Sequence, residues 1–176
     1  MEVTQATLSA LRRELHRYPE LALEEHHTAQ VIERELDKAG VPHRRIGSTG
    51  VLATLTGGKG PGPIVALRAD IDALPMQERH ETDYCSQVDG KMHACGHDAH
   101  TAMLIGAAQT LAARRDALRG GDPLLLPTWR RDRKRGGGFP GRRMPAWSQP
   151  GLWTSRGPRA NGRDHRRNTR PEQSRR

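Results

Sequence analysis

The segment His93-Ala94-Cys95-Gly96-His97-Asp98-Ala99-His100-Thr101 holds the densest chemistry of the 176-residue chain. Cysteine sulfur and histidine nitrogen are good ligands for zinc and related divalent ions. Cys95, His97 and His100 fall within a single short stretch, at a loop-to-helix junction. Gly96 frees the backbone to turn, so that Cys95 and His97 can reach one space. Asp98 falls where a helix N-cap would, and could orient an imidazole from behind. Spacing alone leaves two readings open: a metal site, or a histidine-rich loop around a buried structural cysteine. A catalytic ion needs about three protein ligands, and this segment offers two or three.

A second cluster is Arg68-Ala69-Asp70-Ile71-Asp72-Ala73-Leu74-Pro75. It follows the apolar run Ile64 to Leu67. Carboxylates at the C-terminal end of a strand sit where α/β folds place their ligands. Asp70 and Asp72 are two apart, so an extended backbone turns both to the same side. Taken alone, a solvated acidic strand end explains this cluster better.

The elements that must position these residues follow from periodicity. Thr4 caps a helix carrying Leu8, Leu11 and Leu15, which Pro19 stops. A second helix is expected from about Glu24 to Ala39, with Ala29, Ile32, Leu36 and Ala39 on one face and Gly40 just past its end. Gly50 to Leu55 and Ile64 to Arg68 read as strands. The stretch Gly57 to Pro63 between them reads as a hairpin loop or turn. Gln77 to Lys91 is polar loop. A third helix begins near Asp98, with Met103, Leu104, Ala107, Ala108 and Leu111 on its apolar face. Helices alternating with strands indicate an α/β fold.

Charge divides the chain. Residues 1–119 hold 14 Lys/Arg and 16 Asp/Glu, whereas residues 120–176 hold 15 and 4. The first part reads as a cytoplasmic enzyme, the second as a basic tail. Two cysteines, Cys85 and Cys95, do not make a disulfide framework. The start of the chain lacks the basic and apolar regions of a secretory leader, and no apolar run approaches the ~18 residues that span a bilayer. From Gly120 onward no period survives, and Leu124-Leu125-Leu126 is the only apolar run. Residues 120–176 are therefore expected to be disordered.

Together, four separated motifs resemble the M20 metallopeptidase family, in its branch of hippurate hydrolases and N-acyl-amino-acid or auxin-conjugate amidohydrolases. They are Arg12-Arg13-Glu14-Leu15-His16-Arg17-Tyr18-Pro19-Glu20-Leu21, then Gly50-Val51, Arg68 to Pro75, and Met92 to Thr101. The resemblance implies that residues 1–119 are the N-terminal part of a zinc-peptidase-like catalytic domain. It implies two divalent ions, Zn, Mn, Co or Ni, in the intact enzyme, with Cys95 and His97 as ligands. Asp72 falls where the family places an orienting Asp, and Asp70 replaces a metal-binding His of other branches. Asp98 and His100 are expected behind the ligands, His16 and His93 in structural roles, and Cys85 as a plain small residue. The implied substrate is a small N-acyl amino acid, such as an N-acetyl or N-benzoyl compound. No membrane is involved, and a homo-oligomer stays open for the intact enzyme.

The family's later parts are missing: the Glu general base in its Gln-Pro-Ala/Gly-Glu-Glu segment, the later His ligands and the lid domain. The tail suggests why. Leu124 to Arg131 can be encoded so that reading one base later gives Phe-Phe-Phe-Gln-Pro-Gly-Glu-Glu. Trp129 is the control, since its only codon, read one base later, must give Gly. Trp153-Thr154-Ser155-Arg156 shifts in the same frame to Gly-Leu-His-Val. A frameshift near residues 120–123 is expected, which leaves a fragment without its base and inactive. The alternative is a metal-binding domain with a basic nucleic-acid-binding tail, because Arg-rich segments bind phosphates. The tail's arginine bias, with Lys134 as its single lysine, fits out-of-frame coding at least as well, which makes nucleic acid the weaker partner. A paralogue that kept the fold and lost the chemistry is a third reading, which nothing in the sequence favours.

Overall fold

A computed structural model describes residues 3–126, the last six as backbone. All of them fall within one compact unit, Met1–Arg131. In chain order the elements are α1 (Gln5–Arg17), α2 (His26–Lys38), β1 (His43–Ile46), β2 (Gly50–Thr56), β3 (Leu67–Arg68), α3 (His97–Ala113), a 3₁₀ turn (Arg115–Ala117) and β4 (Gly121–Leu126).

Local signals explain the helix ends. Thr4 and Thr7 form a reciprocal cap, each side chain meeting the other's backbone N–H, worth about 1 kcal/mol. Helix α2 takes its cap from a distance: the Glu20 carboxylate accepts from the N–H groups of His27 (3.0 Å) and Thr28 (2.8 Å). Gly40 follows α2 with φ +61°, the left-handed turn expected there.

The sheet order is β1-β2-β4-β3. β2 pairs antiparallel with β1 and with β4, and β3 lies parallel to β4. Val51, Ala53 and Leu55 of β2 are buried while Thr54 and Thr56 face out, the alternation of a half-buried strand. They pack with Leu11 and Leu15 of α1, Ile32 and Leu36 of α2, Ile71, and Ala102, Ile105 and Ala108 of α3 in one core.

Four features differ from the sequence expectation. Gly57–Pro63 is not a hairpin loop, because β4 lies between β2 and β3. Gly121–Leu126, assigned to the disordered tail, supplies that strand. A three-leucine run is too short to show a period, yet it fills two strand edges that would otherwise lack partners. The remainder of the expected tail, 127–176, lies outside the described residues. β3 is reduced to Leu67–Arg68; Pro61 and Pro63 have no N–H to donate, and Ile64 and Val65 stay exposed. Finally, Met103 leaves the apolar face of α3 and Ile105 joins it, because α3 packs against α1, α2 and the sheet together.

Candidate metal-ligand site

Backbone pairing brings the two chemical motifs together. The N–H of Ala73 donates to Glu20 O (2.7 Å), while Leu74 and Met92 exchange N–H···O bonds of 2.9 and 3.0 Å. The Asp70–Pro75 segment is thus held between the α1–α2 connection on one side and Met92 on the other. Asp72, two residues before Leu74, is carried to the start of α3. Gly96 caps α3 with φ +78° and offers no side-chain oxygen, so Asp98 is not the N-cap but sits inside the first turn.

On one side of that turn, His97 Nδ1 lies 2.9 Å from Asp72 Oδ1 and 2.9 Å from the Asp72 carbonyl oxygen. A carbonyl oxygen only accepts, so Nδ1 carries the hydrogen and the neutral ring leaves Nε2 with a free lone pair. Asp72 is buried at 5% exposure. Cys95, two residues before His97, is exposed and free.

On the other side the polar groups are buried and paired, save Asp98 Oδ1, which has no partner among the described residues. Asp98 Oδ2 accepts from Arg12 Nε (3.0 Å) and from His16 Nδ1 (2.9 Å). The other ring nitrogen of His16 lies 3.1 Å from Glu78 Oε1, and Glu78 Oε2 accepts from the Ser86 N–H (2.6 Å). The side chains of His16, Glu78 and Asp98 are 6%, 5% and 0% exposed. Burial pushes both carboxyls up, but the opposing groups win. The Ser86 N–H and His16 hold Glu78 below its ordinary range. His16, His93, the Ala99 backbone and Arg12 do the same for Asp98.

The remaining expected site residues stand apart from this pairing. Asp70 is half-buried and pairs with Arg68 rather than facing Asp72's partner. His100 is exposed, its ring 5.6 Å from that of His97. His93 is buried with both ring nitrogens lacking a partner among the described residues, and burial pushes it down to about 4. Glu25 was missed by sequence reading. It is fully buried and accepts from Thr49 Oγ1 at 2.7 Å. Burial raises its carboxyl, and the nearby Asp72 adds to this. Nothing in the sequence ties Glu25 to Thr49, which lies far from it along the chain.

Glu78 was also missed, although a signal for its partner existed. Arg12 and His16 are spaced i, i+4 beside Leu8, Leu11 and Leu15, and polar groups beside a buried helix face need buried partners. As a metal site the arrangement is partial. Cys95 and His97 supply soft and borderline donors suited to zinc-like ions. Among the described residues no three His, Cys, Asp or Glu side chains are grouped to hold an ion.

Comparison with known proteins bears on the family and the fold. Residues 66–124 match Peptidase family M20/M25/M40. The chain is 50% identical over 122 residues to an IAA-amino acid hydrolase (ILR1-like 6) of Arabidopsis thaliana, covering 69% of this chain and 26% of that protein. It is 45% identical over 127 residues to the N-acetyl-L-cysteine deacetylase of Bacillus subtilis (strain 168), covering 72% and 30%. The crystal structure of Bacillus subtilis YXEP protein, a dinuclear metal binding peptidase from the M20 family, superposes with a TM-score of 0.66 at 43% identity. It covers 69% of this chain and 34% of that one. The chain therefore spans about a third or less of the length of these relatives. With its motifs, its fold and these likenesses in agreement, the matched part of the chain, residues 66–124, is that of the M20 peptidase family.

Proposed function

We propose that this chain carries the first part of a metal-dependent amidohydrolase that cleaves the amide bond of N-acyl amino acids, and that as it stands it is inactive. The observation that carries the reading is the Asp72–His97 pair, which leaves an imidazole nitrogen free two residues from the Cys95 thiol. Cys95 and His97 are the ligands this part contributes. Asp72 positions His97 by fixing its tautomer and ring plane, as carboxylates do behind metal-bound histidines. When bound, divalent ions would activate water and polarise the acyl carbonyl. Asp70 and His100 line the approach without holding His97, and Asp98 serves the neighbouring polar network.

The base that must take the proton from water is missing from the reading frame. Arg130 and Arg131 stand where the shifted frame reads Glu-Glu. An arginine cannot accept a proton at neutral pH. Loss of a general base alone costs about 10²–10⁴ in rate. A one-base shift near residues 120–123 accounts for this. It also suits the position of β4: leucine codons read one base later can give phenylalanine, so an apolar strand survives the change of frame. A cytoplasmic setting fits two free thiols and the absence, among the described residues, of a helix long and apolar enough to cross a membrane.

Hydrolysis of N-acetyl and N-benzoyl amino acids with added Zn, Mn, Co or Ni tests the reading. No turnover is expected from the chain as it stands. Recovery is expected from a one-base repair near codon 121 with the downstream sequence restored. Turnover by the unrepaired chain that disappears in Cys95→Ala would show a complete site and overturn the reading of the tail.

A further inference from the structure

The polar loop between Gln77 and Lys91 contributes nothing to the Asp72–His97 pair, yet it is fastened with unusual thoroughness. Arg17 Nη2 donates to Asp83 O (2.8 Å), the Gln87 N–H donates to Arg17 O (2.8 Å), and the Arg13 guanidinium lies 4.9 Å from the Tyr84 ring centroid. These contacts are peripheral. The inner fastening is the chain Ser86 N–H to Glu78, Glu78 to His16, and His16 to Asp98. It runs through side chains that are nearly excluded from water and ends one residue from His97.

Helix α3 needs such a fastening. Its N-cap is a glycine in the left-handed region, so no side chain caps its first N–H groups. The first turn is fixed instead through its own side chains. His97 is held from one direction by Asp72, and Asp98 from another by His16 and Arg12. Successive residues project about 100° apart on a helix, so two such anchors fix both the position and the rotation of the turn. An ionised carboxylate only accepts hydrogen bonds. His16 faces a carboxylate at each ring nitrogen, so turning the ring away would strip both buried carboxylates of that contact.

We propose that His16 and Glu78 are positioning residues, a buried brace that sets the direction of His97 by holding Asp98, and that couples the 77–91 loop to the first turn of α3. The brace gives the loop a role at the site although no loop side chain reaches it. This inference rests on the reading of His97 as a ligand for its purpose, but its geometry stands without metal.

The test uses the full 176-residue chain without metal, with amide hydrogen exchange and the ring Nδ1–H resonance of His97 as readouts. His16→Gln is expected to speed exchange at least about ten-fold at both ends of the brace, at Ser86 and at Ala99 and His100, and to broaden or abolish the His97 Nδ1–H signal. Glu78→Gln keeps the side-chain shape and the core, and is expected to loosen the same two places. Arg17→Ala cuts a peripheral contact and is expected to speed exchange in residues 77–91 alone. Loosening confined to the loop in both brace variants, with the His97 signal unchanged, overturns the proposal. So does an equal loss of the His97 signal in Arg17→Ala, which would mean general softening. Cobalt(II) titration of the unsubstituted chain separates the two levels: absence of a thiolate–cobalt band speaks against the ligand assignment, whereas the exchange pattern alone decides the brace.

Discussion

Two imidazoles flank the first turn of α3, and each meets a carboxylate at 2.9 Å. His16 has a carboxylate at both ring nitrogens and sits 5% exposed. His97 has Asp72 at one nitrogen only, and its side chain is 15% exposed. The first arrangement engages both ring nitrogens and serves the fold. The second fixes a ring and leaves a lone pair available, which is what a metal ligand needs. Equal distances thus carry different meanings, and the number of engaged ring nitrogens separates the two histidines better than the presence of a His–Asp pair does.

The largest expected effect lies on the His16 side. Asp98→Ala leaves Arg12 and the buried His16 without their shared acceptor, and leaving a buried polar group unsatisfied costs about 1–3 kcal/mol. Urea denaturation of the chain measures it. A loss below about 1 kcal/mol would place this network with weak surface pairs and erase the distinction. On the open side, Asp72→Ala is expected to weaken cobalt(II) binding about 10–100-fold, the usual price of losing a carboxylate behind a ligand histidine. Unchanged affinity would mean that Asp72 is structural and that the two sides do not differ as described.

Glu25 sharpens the contrast through pH. Its folded carboxyl titrates above the unfolded value because of burial, with Asp72 nearby adding to the rise. Between the two values the folded chain keeps a proton that the unfolded chain has released. Stability from this group therefore falls as pH rises through that interval, and the loss is complete above the folded value. The slope is at most about 1.4 kcal/mol per pH unit for one proton. Glu25→Gln removes the titrating proton and is expected to flatten the stability profile and to be the more stable chain at neutral pH. A steeper loss toward high pH in Glu25→Gln than in the parent would contradict this.

Much of this was legible in the sequence, and the reasons differ by element. Helices α1 and α2 carry their own periodicity and stop signals, so Thr4, Pro19 and Gly40 marked their ends. Cys95, His97 and Asp72 were visible through residue type and spacing. Pairing was not visible, because β4 inserts between β2 and β3 from outside their sequence neighbourhood, and β1 is too short and too basic to read as a strand. The brace was hidden for a similar reason: His16 and Glu78 are 62 positions apart, and only the fold shows that a loop glutamate faces a helix histidine. Asp98 was recognised as an orienting carboxylate, but the imidazole it holds is His16.

Gly96 joins the two sides and gives the smallest effect. Its φ of +78° lies in the left-handed region, which an added Cβ disfavours by about 1–2 kcal/mol. No heavy atom lies within 4 Å of the position such a Cβ would take, so the cost in Gly96→Ala is conformational rather than steric crowding. Alanine also reduces the freedom of the unfolded chain, which returns about 0.4–1 kcal/mol. The expected net loss is about 1 kcal/mol by denaturant titration. Gly96→Asn should lose less, because asparagine tolerates the left-handed region. A stability gain in Gly96→Ala would mean that residue 96 is not left-handed. The geometry that sets His97 against Asp72, with Asp98 against His16, would then have to be rebuilt.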